Sequence, residues 1–181
     1  MDTTERELWI LNFYRNSELH GALLMGRLAR TLSDTTLLLR VTEHCATEAR
    51  HASILSEAIV ELGGRIDPHV TPIQERYSAK GGVTTELVDL LVLSEVLEHR
   101  VLHTYRDHAA RHDAHPIVQR TLAAILREME EEHEGEHAGW IERVLEQQPR
   151  DLVEAAERKW RAIDDAVVAE LEAQVSARFT P

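Results

Sequence analysis

Glycine and proline are confined in this chain. Gly63-Gly64, Pro68, Pro72 and Gly81-Gly82 all fall in one stretch, residues 63–85, while Pro116, Pro149 and Pro181 stand alone. On either side of that stretch Leu, Ala, Glu and Arg dominate, and apolar residues recur every three or four positions. Those residue types lose little side-chain freedom in a helix, and the period is the helical one. No segment alternates with the period of two that a half-buried strand requires. The expected fold class is all-α, with one long break near the middle.

Five helices are predicted. The first runs from about Thr4 to Leu32, with Thr4 and Glu7 spaced as a capping box and Leu11, Tyr14, Met25, Leu28 and Leu32 on one face. Asp34 is a good N-cap for the second, which carries Leu38, Val41, Leu55, Ile59 and Leu62 and stops at Gly63. The third starts near Thr85 and carries Leu87, Leu91, Val101, Leu102 and Tyr105. After a short connection, Arg111 to His115, Pro116 opens a fourth helix that runs to about Gln147. The fifth spans roughly Asp151 to Arg178, with Leu152, Ala156, Trp160, Ile163, Val167 and Leu171 on one face.

Short connections make antiparallel hairpins of helices one and two and of helices three and four. The link between the hairpins, about 22 residues, reaches at most roughly 70–80 Å. A helix of about 28 residues is roughly 42 Å long, so the link can cross the whole bundle. The expected architecture is an antiparallel four-helix bundle over residues 1–148 with a long crossover between helices 2 and 3. Residues 149–181 add a C-terminal helix packed on the bundle or on a partner subunit, with Trp9 and Trp160 as the natural contacts.

Charge and cysteine content narrow the function. The chain has 181 residues, 32 acidic and 20 basic, for a net charge of −12. That balance speaks against nucleic acid, whose phosphates call for clustered Lys and Arg. No apolar run approaches the 18 or so residues that span a bilayer. The start, Met1-Asp2-Thr3-Thr4-Glu5, is acidic, unlike a signal or transit peptide. A single cysteine, Cys45, excludes an intrachain disulfide, a paired-thiol redox motif and a four-thiolate metal site. The expectation is a cytoplasmic protein with neither nucleic acid nor membrane as partner.

The chemistry lies in the polar residues on the apolar faces. At about 100° per residue, Glu18 sits at the centre of the stripe of Leu11, Tyr14, Met25, Ala29 and Leu32. Glu48 lies within that of Val41, Ala52, Leu55 and Ile59, with His51 one turn on. Glu98 lies among Leu91, Val101, Leu102 and Tyr105. On the fourth helix the face of Leu122, Leu126 and Met129 continues through Glu130, His133 and His137 to Trp140 and Val144. An ionised carboxylate costs several kcal/mol to bury, and four would offset a typical domain stability of about 5–15 kcal/mol. Two divalent cations balance four carboxylates beside neutral imidazoles, and mixed carboxylate and imidazole donors suit iron or manganese. A Glu from each of two helices and Glu-x-x-His from each of the other two is the pattern of di-metal carboxylate bundles.

On these residues the chain resembles the ferritin-like superfamily, especially its rubrerythrin-like and bacterioferritin-like members. The resemblance covers residues 8–145. Its most specific stretch is Glu48-Ala49-Arg50-His51-Ala52, leading to Glu61-Leu62-Gly63-Gly64, which looks like the second helix of rubrerythrin-type proteins. Glu98 with Tyr105 seven residues later is similar to a recurrent feature of the third helix, and places Tyr105 beside the metals. Glu95-x-x-Glu98 is similar to the paired acids of rubrerythrins, which makes Glu95 a candidate extra ligand.

Two registers compete on helix four. Glu18 and Glu48 are 30 residues apart, Glu98 and Glu130 are 32 apart, and Glu98 and Glu134 are 36 apart. The spacing favours Glu130 with His133, while Glu134-x-x-His137-x-x-Trp140-Ile141 looks more like the bacterioferritin motif and keeps Glu134 and His137 as alternates. The resemblance implies two iron ions, or manganese, or a mixed pair, reacting with dioxygen or peroxide in an oxidase, oxygenase or peroxidase. With one cysteine there is no rubredoxin module, so a separate electron donor is implied, and a homodimer is compatible. The alternatives are a ferroxidase that handles iron and a metal-free helical binding protein.

Overall fold

The computed structural model describes the backbone of residues 3–134 and 139–179, and the side chains of 4–131 and 139–179. The described chain is all-helical, with 82% helix and no strand. Seven helices follow in order: α1 (Thr3–Ala29), α2 (Thr35–Glu61), α3 (Ile73–Gly81), α4 (Leu87–Ala110), α5 (Pro116–Glu134), α6 (Trp140–Leu145) and α7 (Arg150–Phe179). Among the described residues no helix is long and apolar enough to cross a membrane.

The helix ends obey local chemistry. Asp34 caps α2 by accepting a hydrogen bond from the Leu37 amide at 2.7 Å. Gly63, at φ +75°, ends that helix as the Gly64 amide returns to the Ile59 carbonyl at 2.9 Å. Pro116 opens α5, where its missing N–H leaves no hydrogen bond unmade. The extensive contact of α1 with α2 forms the first hairpin, and α4 packs on α5 and α7. Leu11, Val41, Leu55, Ile59, Leu91, Leu122 and Ile125 are sealed from solvent in the shared core.

Two expectations are corrected. The crossover is not bare chain: it contains α3, which starts after Pro72 and ends at Gly82, φ +78°. Nine residues between helix breakers are too few for a periodic signal, yet the buried Ile73 and Tyr77 anchor it. The single helix expected from Pro116 to Gln147 is instead α5 and α6, with the left-handed Gly139 (φ +65°) at the start of α6.

Buried polar residues of α1 bind the crossover. Asn12 Nδ2 donates to the Arg65 carbonyl at 3.2 Å, and its Oδ1 accepts from the Asp67 amide at 2.7 Å. Asn16 Nδ2 donates to the carbonyls of Asp67 and Val70 at 2.9 and 2.8 Å. Ser17 Oγ accepts from the Ile73 amide at 3.1 Å, and Gln74 Nε2 reaches the Ser17 carbonyl at 2.9 Å. Unpaired peptide groups are costly away from water, and these side chains satisfy them in a segment without regular structure.

The last helix is held on α3 and α4 of the same chain. Trp160 is fully buried and donates from Nε1 to Asp89 at 3.0 Å, while Lys159 pairs with the same carboxylate at 2.8 Å. A Cβ on Gly81 would come within 2.6 Å of the Trp160 ring, so glycine allows the end of α3 to close on that indole. Trp9, also expected at this contact, stacks on Phe13 and meets the Phe179 ring edge-on at 5.8 Å.

Candidate functional site

Three helices bring carboxylates to one interior cavity of about 60 Å³. Its walls include Glu18 from α1, Glu48 and His51 from α2, Glu98 from α4, and Met129 from α5. Glu18 is buried, and it accepts a 2.5 Å hydrogen bond from the Tyr105 hydroxyl. Its other oxygen lies 3.4 Å from His51 Nδ1. His44 Nε2 stands 3.4 Å from both Glu48 and Glu98, linking α2 to α4. Close approach of α1 and α2 depends on Gly21, where a Cβ would sit 2.4 Å from Glu48 Oε2.

Electrostatics follow from this crowding. Burial, reinforced by the neighbouring Glu18, pushes the Glu48 carboxyl up to about 8, against the opposing effect of His44. Burial alone would lower the His51 pKa, but Glu18, Glu48 and Glu128 together hold it above the ordinary value. Tyr105 is raised well above a normal phenol, by burial first and Glu18 second, so it stays a hydrogen-bond donor. His51 Nε2 is buried and makes no hydrogen bond. Its nearest acid is Glu128 Oε2, at 3.5 Å, outside good hydrogen-bond geometry.

The structure thus brings together Glu18, Glu48, His51, Glu98 and Tyr105, but not Glu130. Glu130 is exposed and pairs with Arg106 at 2.9 Å. The buried face of α5 runs through Thr121, Leu122, Ile125 and Met129 rather than through Leu126. That rotation turns Glu130 outward and swings Glu128 toward His51, while Arg50 Nε donates to the same Glu128 Oε2 at 2.8 Å. Glu95, the candidate extra ligand, is half-buried and raised by burial and then by Glu142 of α6, and it does not line the cavity. The side chains of His133 and Glu134, and all of His137, lie outside the described residues.

Glu128 escapes the sequence reading, although it carries a signal: it lies three residues after Ile125 and seven after Thr121, both buried. His44, a turn before Glu48 on the same side of α2, is readable from its spacing, and the structure sets it between Glu48 and Glu98.

Carboxylate oxygens and imidazole nitrogens are the donor types that bind iron or manganese. The buried His51 Nε2, which makes no hydrogen bond, fits such an ion in kind. As placed, no group of three or more His, Cys, Asp or Glu side chains is arranged to hold a metal ion among the described residues. The donors are gathered around the cavity without closing on one point. Compared with family models, with curated proteins and with solved structures, the chain finds no match.

Proposed function

We propose that this chain is a ferritin-like four-helix bundle, α1, α2, α4 and α5, that holds two iron or manganese ions and reacts with dioxygen or peroxide as an oxidoreductase. The observation that carries the reading is the convergence of Glu18, Glu48 and Glu98 on one cavity whose nearest bases are the imidazoles of His44 and His51. Three carboxylates sharing a low-dielectric space repel one another, and divalent cations supply the missing positive charge. Glu18, Glu48, Glu98 and His51 would hold the ions, with Glu128 as a source of a further donor.

Bound iron or manganese would supply the capacity to pass electrons to an oxygen species. The protein's own groups set the conditions. Tyr105 fixes Glu18 by donating to one of its oxygens, leaving the other toward His51. His44, between Glu48 and Glu98, can carry a proton displaced from Glu48. A cavity of about 60 Å³ accommodates a few water-sized molecules, which suits a diatomic oxidant. Cys45 donates its thiol hydrogen to the Ala22 carbonyl at 3.1 Å and has no second thiol, so reducing electrons would come from a separate donor.

The test is metal content by plasma mass spectrometry after anaerobic loading with ferrous or manganous ion. Wild type is expected to retain about two ions per chain, and Glu48→Gln far fewer. Failure of wild type to retain metal in stoichiometric amount would sink the reading and favour a metal-free binding protein. Retention of large iron excess in an assembly of many subunits would move it to iron storage.

A further inference from the structure

A second buried polar group lies on the far side of Tyr105. The Tyr14 hydroxyl is 3.2 Å from His108 Nδ1, and Nε2 of that ring is 2.8 Å from Glu7 Oε2. The Glu7 contact does not meet hydrogen-bond geometry, and neither atom has another hydrogen-bond partner, so it is a close polar contact. Tyr14, His108 and Glu7 are 6%, 4% and 2% exposed. The Tyr14 ring meets the Tyr105 ring with centroids 4.7 Å apart, and Tyr105 in turn donates to Glu18. A line of contacts therefore runs from Glu7 through His108, Tyr14 and Tyr105 to the cavity.

Nothing in helix packing calls for this arrangement. A buried phenol needs one acceptor, which a backbone carbonyl could supply, and burying His with Glu carries a desolvation cost. Its chemical distinction is the placement of a base against a phenol that is already close to a second aromatic ring. Burial and Glu7 hold Tyr14 far above the ordinary phenol pKa, opposing Arg111 and Arg6, while Asp107 adds to the rise. Tyr14 is thus a neutral phenol at working pH, and it can lose an electron cheaply only if its proton leaves as well. His108 is the acceptor within reach.

We infer that Tyr14 is a redox-active tyrosine that gives up one electron through Tyr105 toward the Glu18 cavity while its phenolic proton passes to His108. The O–H bond of Tyr14 breaks, and a neutral tyrosyl radical remains. Neutral His108 gains the proton at Nδ1, and its new charge is met by the Glu7 carboxylate at Nε2. The electron reduces an oxidant of the dioxygen or peroxide class at the cavity. That destination rests on the function proposed above, whereas the phenol, imidazole and carboxylate stand on their own geometry.

The two parts can be tested separately. Metal-free full-length protein is photo-oxidised by flash-generated ruthenium tris-bipyridine with persulfate, and tyrosyl radical is read by electron paramagnetic resonance. The expected radical is abolished by Tyr14→Phe and unaffected by Tyr77→Phe. In His108→Ala its formation slows by roughly a hundred-fold or more, the scale of a lost general base. Added imidazole is expected to restore it, entering through a cavity of about 600 Å³ that His108 and Tyr14 help to line. A radical that survives Tyr14→Phe, or forms equally fast in His108→Ala, would overturn the inference. Helicity by circular dichroism verifies folding, and the Tyr14→Phe comparison stands even if His108→Ala does not fold. In metal-loaded protein treated with peroxide, the same radical is expected, and Tyr105→Phe slows its appearance. Absence of the radical there, with metal bound and the photo-oxidation result intact, refutes the electron's route; absence of bound metal refutes its destination and the proposed function together.

Discussion

Two sets of acids, one a buried aspartate and the other a buried glutamate with two half-buried ones, have opposite surroundings in this protein. Asp164 of α7 receives Arg100 through Nε at 3.0 Å and Nη2 at 2.5 Å, and the Tyr77 hydroxyl donates to the same carboxylate. The pair is mutual, since the Arg100 guanidinium is held above its usual pKa chiefly by the hydrogen bond to Asp164. Glu18, Glu48 and Glu98 share a cavity with imidazoles and with each other, and Glu48 keeps its proton to about 8. A buried acid with a guanidinium is a fastener. Acids gathered in one cavity with imidazoles as their nearest bases leave a charge deficit that something outside the chain can fill.

The comparison can be broken most forcefully at the fastener. Asp164→Ala leaves Arg100 half-buried without its counter-charge and Tyr77 without its acceptor, and is expected to cost about 3 kcal/mol in urea unfolding. A loss below about 1 kcal/mol would show that the pair contributes little to holding α7.

A pH series on metal-free protein sharpens the other side. The Glu48 pKa is raised from 4.5 to about 8 in the folded state, so between those values the folded chain keeps a proton that the unfolded chain has released. Stability therefore falls as pH rises through that window. His51, also raised, acts in the same direction, because the stability it contributes below its ordinary pKa is lost as pH climbs. Urea midpoints from pH 5 to pH 8 should decline, and bound metal should flatten or reverse the decline by displacing the proton. A rising midpoint in metal-free protein would contradict the assignment.

Glu48→Gln removes the repelling charge and should leave the metal-free protein about 1 kcal/mol more stable at pH 8, opposite in sign to Asp164→Ala. Smaller still is the stability effect of Gly21→Ala. Alanine favours the helix by up to about 1 kcal/mol, but its methyl drives the Glu48 carboxylate aside. Thermal unfolding is expected to change little while metal affinity falls roughly 10- to 100-fold, and an unchanged affinity would mean the carboxylate has room elsewhere.

Much of this was legible in the chain. The all-helical class, the Asp34 cap, the Gly63 stop and the Pro116 start follow from residue chemistry acting over a few positions. Glu18, Glu48 and Glu98 were found because each interrupts an apolar stripe whose phase is fixed by many neighbours. The face of α5 is ambiguous in the chain because Ile125 and Leu126 are both apolar: Leu122 and Met129 are on the buried face either way, and the choice between the two decides which way Glu128 and Glu130 turn. The role of α3 and the pairing of Asp164 with Arg100 depend on contacts between distant segments, which no local pattern records. Glu7 shows the same limit: spaced as part of a capping box, it is also drawn inward to His108, 101 positions away by residue number.

The amide and hydroxyl groups of α1 that bind the crossover have a kinetic consequence. Asn12, Asn16 and Ser17 lie on the same turns as Tyr14 and Glu18, and their partners are 51 to 57 residues distant. The first hairpin can form from near neighbours, but the outer face of α1 is completed only when that long loop closes, and such closure is slow relative to local pairing. The Asp67 amide, although it belongs to no helix, should therefore exchange its hydrogen with solvent only when the domain opens as a whole. A loop residue that exchanges as slowly as the core would mark the crossover as a strap that is fastened late and opens only with the rest of the domain.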